Sequence, residues 1–111
     1  MVENIVKKGE EILTGMKNAG IAGAVIRRDG ITVFSTIALS ETGPNIFSSI
    51  ANICDAISKE IGDKQKEIEI SMSGLFFVII PVDSYLFCGA VKDREQKKTL
   101  REYSEKFKQG L

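Results

Sequence analysis

The chain contains no histidine, no tryptophan, only two cysteines and two prolines, and no net charge: its 111 residues carry 15 Lys+Arg against 15 Asp+Glu. Without histidine, Ser-His and Cys-His nucleophile systems and every His-ligated metal site are excluded. Zero net charge removes the electrostatic footprint of a protein that binds nucleic acid by neutralising phosphates. Cys54 and Cys88 form neither a C-x-x-C pair nor a dense framework, so they read as reduced, buried thiols. The longest apolar run, Leu75 to Val82, falls far short of the ~20 residues that span a bilayer. Glu3, Lys7, Lys8, Glu10 and Glu11 leave no room for a signal-peptide core between Met1 and Met16. These absences predict a soluble, cytoplasmic protein with no membrane or nucleic-acid partner. With 43% apolar and 27% charged residues, one domain over 1–111 is expected. A neutral surface also permits self-association.

Residues 2–18 place Ile5, Ile12, Leu13 and Met16 at helical spacing, and Asn18–Gly20 closes that helix. Two apolar, β-branched runs, 22–28 and 31–38, flank Asp29-Gly30, the strongest short-range signal of a hairpin with a primed turn. Residues 39–45 read as a loop, with Pro44 or Asn45 at a helix start. The helix over 45–61 carries two apolar stripes: Ile46, Ile50, Ile53, Ile57 and Ile61, then Phe47, Ala51 and Cys54 about 100° away. The isoleucine stripe suffices to cover a sheet, and the second stripe implies another body over the helix.

Gly62-Asp63-Lys64 break that helix, and 66–73 alternate strictly, with Ile68, Ile70 and Met72 opposite Glu67, Glu69 and Ser71. Leu75–Ile80 is apolar on both faces and predicts a central strand that Pro81 ends. Residues 85–91 give a further strand, and 94–109 a charged helix with Leu100, Tyr103 and Phe107 as its stripe. The expected fold is α+β: a five-stranded antiparallel sheet with helices on both faces, in the order α-β-β-α-β-β-β-α.

Catalytic chemistry is sparse. Glu67 and Glu69 read as solvated strand polarity, Cys88 has no thiolate-stabilising neighbour in sequence, and no phosphate-binding glycine loop occurs. Gly23, inside a strand pattern, reads as relief for a packed helix. Lys97, Lys98, Arg101, Lys106 and Lys108 alternate with Glu95, Glu102 and Glu105, which is ion-pair patterning along one helix. No enzyme, metal or cofactor is expected.

The string from Gly20 to Gly30, the run Phe76–Val82 followed by Tyr85-Leu86-Phe87, and the order of elements over about residues 3–107 resemble the roadblock/dynein light chain family. The C-terminal helix is similar to that of its prokaryotic members. The resemblance implies a homodimer, or a pair with a paralogous roadblock protein, whose central helices lie side by side and whose following strands join across a two-fold axis. Carried over, it puts Phe47, Ala51, Cys54 and Ser58 of the helix, and Glu67, Ile68, Glu69 and Ile70 of the strand, in the dimer interface. It implies a non-catalytic scaffold or regulator of a small Ras-like GTPase, as a GTPase-activating or platform subunit, with the GTPase docked on the outward residues Asn45, Ser48, Ser49, Asn52, Asp55 and Lys59. The alternative is a small-molecule sensor of profilin-like or PAS-like architecture, which needs a closed pocket between sheet and helix.

Overall fold

The computed structural model describes residues 2–37, 43–62 and 67–111. The elements run α1 (Val2–Asn18), β1 (Ala22–Arg27), β2 (Thr32–Ser35), α2 (Gly43–Ile61), β3 (Ile68–Met72), β4 (Leu75–Val82), β5 (Tyr85–Val91) and α3 (Arg94–Gln109). This is the expected order. Most of the loop expected over 39–45, and the break and strand start expected over 63–66, lie outside the described residues.

The strands form one antiparallel sheet in the order β2-β1-β5-β4-β3, so β5 and β4 are interior and β3 is an edge. Side chains that alternate along each strand divide the core in two. On one face, Ile12, Leu13 and Met16 of α1 and Leu100 and Phe107 of α3 pack over Val25, Val78 and Phe87. On the other, Ala24, Ile26, Ile79, Leu86 and Cys88 lie under α2 with Ala51. Gly23 admits the first layer: a β-carbon there would clash with the Met16 methyl and stand 2.7 Å from the Cys88 carbonyl oxygen and 3.0 Å from Leu13 Cδ2.

Two local expectations are corrected. In the β1–β2 hairpin only Gly30 has positive φ (98°), and the Gly30 amide donates to the Arg27 carbonyl at 2.9 Å. Both primed two-residue turns need positive φ at the first central residue, and Asp29 does not have it, so this is the longer loop that ends on a left-handed glycine. Pro81 does not end β4, which continues to Val82. Val82 pairs with Tyr85 across a two-residue turn and Pro81 with Leu86. In that register the closing pair holds the hydrogen bonds, and Pro81 sits where no N–H is directed at β5. The described β3 ladder ends earlier, at Ile68 opposite Ile79.

α3 starts on Asp93, whose carboxylate accepts from the Gln96 amide at 2.9 Å while Gln96 accepts from Lys92 N at 2.8 Å. This reciprocal cap fixes the helix start beside β5. Among the described residues no helix is long and apolar enough to cross a membrane.

Candidate interaction surface

The central helix reverses the expected assignment of its two stripes. Phe47 stacks on Phe77 of β4, with ring centroids 5.0 Å apart, and Ala51 is fully buried against the sheet. Ser48 is buried too, and its hydroxyl donates to the Arg27 carbonyl at 3.3 Å. Asp55 accepts from Arg28 Nη1 at 2.7 Å, and the same guanidinium donates through Nε to the Asp83 carbonyl at 2.8 Å. Phe47 and Ala51 therefore cover this chain's own sheet, and Ser48 does not face outward. Asp55 is half-buried and already paired.

The reason is steric and polar together. Small side chains at Ser48, Ala51 and Cys54 let the helix axis come down onto a sheet face that is itself small at Ala24 and Cys88. A row of β-branched isoleucines would hold it further off. Ser48 and Asp55 also find their partners, the Arg27 carbonyl and Arg28, only on the sheet side. The run of small residues was the available signal. Side-chain hydrophobicity alone favoured the wrong stripe.

The isoleucines are thereby left out. Ile46, Ile53, Ile57 and Ile61 are 53%, 60%, 56% and 72% exposed, with Ile50 half-buried beside them. At ~100° per residue Ile46, Ile53 and Ile57 lie roughly 120–160° around the axis from Ala51. They point mostly away from the sheet, nearer around the axis to Phe47, which meets β4, than to Ser48 and Asp55, which meet the β1–β2 turn. On the same side of the sheet, edge strand β3 presents half-buried Ile68 and Ile70 and a 55% exposed Met72. Cys54 and Ser58 are half-buried at the border between the two surfaces. Asn45, Ser49, Asn52 and Lys59 are exposed on the remaining face.

Glu67 and Glu69 lie on the opposite side of β3, toward α3. Arg101 Nη2 and Nε donate to the two Glu67 oxygens at 2.6 and 3.0 Å, and Lys97 pairs with Glu69. The bonds from Arg101 hold the Glu67 carboxyl below its ordinary pKa. A group lowered in this way stabilises the fold above the unfolded carboxylate value, and that contribution is lost as pH falls through its own lower value. Arg101→Gln should narrow the stability gap to wild type as pH drops from 7 to 3, read as urea midpoints. A gap that stays constant over this range would refute the assignment.

Described residues line two surface clefts. One, about 280 Å³, is lined by Arg27, Arg28, Asp29, Asp83 and Ser84 at the hairpin ends. Another, about 210 Å³, lies between β3 and the start of α3, lined by Glu69, Phe76, Asp93, Arg94 and Lys97. Neither sits between α2 and the sheet, where a sensor pocket would be. Among the described residues no group of three or more His, Cys, Asp or Glu could hold a metal ion. Burial pushes the Cys88 thiol up to about 12, which leaves it protonated and inert. Iodoacetamide at pH 8 should leave Cys88 unmodified until denaturant is added, as peptide mass spectrometry would show.

Neither the protein-family models nor the curated proteins compared with this sequence give a match. Solved structures do. The gliding protein MglB of Thermus thermophilus superposes with a TM-score of 0.79 at 13% identity, over 96% of this chain and 90% of that one. An MglB with tetrameric arrangement gives 0.72 at 13% identity, over 96% and 93%. A roadblock/LC7 domain from Streptomyces avermitilis gives 0.66 at 8% identity, over 88% and 90%. At such identities the likeness is one of architecture, and in architecture this chain is a roadblock/LC7 fold.

Proposed function

We propose that this protein is a non-catalytic roadblock-type scaffold or regulator that works as a dimer and binds a small Ras-like GTPase. The observation that carries the reading is the exposed row of Ile46, Ile53, Ile57 and Ile61 on α2, on the same side of the sheet as Ile68 and Ile70 of β3, which is an edge among the described residues. Several large side chains in one uncharged row are more than a monomer leaves open without use. An edge strand with unpaired backbone groups is a template for a further strand. A two-fold axis beside β3 would satisfy both at once: isoleucine against isoleucine, and Glu67–Ile70 against the same segment of a second copy. The similarity to an MglB with tetrameric arrangement supports association between copies. The dimer partner is an identical chain or a paralogous roadblock protein, and the setting is the cytoplasm.

In this arrangement Phe47 and Ala51 support the interface from beneath, while Cys54 and Ser58 border it. The GTPase surface reduces to Asn45, Ser49, Asn52 and Lys59, since Ser48 and Asp55 are engaged within the chain. The shared fold with MglB, one structure of which is described as a gliding protein, supports the roadblock-type architecture on which this reading rests, and the GTPase partner follows from the resemblance to the roadblock family.

Sedimentation at tens of micromolar should give a dimer, and nucleotide-loaded small GTPases from the same genome should be retained on the immobilised protein. Asn52→Arg with Lys59→Glu should abolish that retention and leave the sedimentation coefficient unchanged. A strictly monomeric protein would sink the dimer, and no GTPase retained in either nucleotide state would sink the partner.

A further inference from the structure

Edge strand β3 has one acidic face. Glu67 and Glu69 stand on the same side, two residues apart, with Ser71 next in the row. If two copies of β3 pair about a two-fold axis perpendicular to the sheet, that side of one strand continues into the same side of the other. For a register centred on residue 68 or 69, the Glu67 and Glu69 side chains of the two copies then lie opposite or diagonal to one another. Four carboxylates would line one short junction. Like charges directly across a strand pair are destabilising, so such a junction needs counter-charge.

The counter-charge is already in place within each chain. Arg101 grips Glu67 with two hydrogen bonds, and Lys97 pairs with Glu69. Both cations come from one side of α3, four residues apart, and that helix is fixed on the sheet by Leu100 and Phe107, each fully buried. The other charged residues lining the Glu69 cleft, Asp93 and Arg94, contribute one charge of each sign. We infer that Lys97 and Arg101 back the β3 edge with positive charge and so permit two copies of the chain to join along it. This inference rests on the dimer reading above and assigns α3 a part in it, although α3 lies on the sheet face opposite the isoleucine flank.

The test compares dimer dissociation constants by sedimentation equilibrium. Lys97→Ala/Arg101→Ala should weaken the dimer by about tenfold or more. Adding Glu67→Gln and Glu69→Gln to that variant should restore the wild-type value to within about threefold, because the load that the cations offset is then gone. Glu67→Gln/Glu69→Gln alone, which leaves α3 untouched, should dimerise at least as tightly as wild type. Its readout stands even if the alanine variant folds poorly. An unchanged constant for the alanine variant, a failed restoration, or a weaker dimer for the glutamine variant would each overturn the inference. A wild-type protein that never dimerises fails the earlier reading instead.

Discussion

Ile53→Glu/Ile57→Glu should turn the protein into a folded monomer of 12.2 kDa. Both positions are more than half exposed in the single chain, so the substitutions remove little from its own core. Surface changes of this kind usually stay within about 0.5 kcal/mol of neutral. Across a dimer the same two positions occur four times. Covering the exposed part of an isoleucine contributes on the order of 1–2 kcal/mol, so about 4–8 kcal/mol of association is at stake. At ~1.4 kcal/mol per decade, the dissociation constant should rise by roughly a thousandfold or more, before the cost of burying glutamate is counted. The far-ultraviolet circular dichroism should remain that of the wild type. A double variant that still sediments as a dimer would remove the isoleucine flank from the interface.

Phe47→Glu supplies the contrast. On the sequence reading, with Phe47 turned toward a partner, that change would separate two intact subunits. With Phe47 stacked on Phe77, it places a carboxylate between α2 and β4 of one chain. Its effect should therefore fall on folding as well as on association. Together the two variants separate a residue that builds the helix seat from residues that use its outer flank.

Much of the architecture was legible because periodicity is a local property. The alternation over Lys66–Ser73, the doubly apolar run from Leu75 and the stripe of the last helix each mark one element without reference to any other. β5 falls on its expected bounds, and α1 on its own. The failures arise where the answer depends on something distant. Pro81 looks like a strand terminator unless the register beside Tyr85 is known, since only register says where its missing N–H would have pointed. The turn at Asp29-Gly30 likewise depends on whether Asp29 as well as Gly30 takes positive φ.

The orientation of α2 is the instructive case. Two stripes about 100° apart are legible in the helix, yet which of them meets the sheet depends on the shape of that sheet face and on Arg28, 27 residues before Asp55. Neither quantity exists in the helix sequence. The ion pairs from α3 to β3 were hidden for a related reason: the charge pattern of 94–109 looked self-contained at i, i+4 spacing, while Lys97 and Arg101 reach across to Glu69 and Glu67 instead.

Phe107→Ala should produce a large loss of stability. The ring is fully buried near the end of α3, edge-on to Tyr85 at 5.8 Å and tilted against Phe87 at 5.7 Å. Replacing a buried phenylalanine by alanine costs about 3–5 kcal/mol, from lost transfer energy and the cavity that remains. Domains of this size hold roughly 5–15 kcal/mol in all, so a thermal midpoint lower by about 15–25 °C is expected. The loss should not stay at the C-terminal end. α3 is one rigid rod, and Phe107 and Leu100 hold it down while Arg101 and Lys97 reach from it to β3. A helix that lifts at Phe107 should therefore also loosen Ile68–Met72, and hydrogen exchange at those amides should quicken in Phe107→Ala well below its melting temperature. Fast exchange confined to α3, with β3 as protected as in wild type, would show that the edge strand stands without its helical backing.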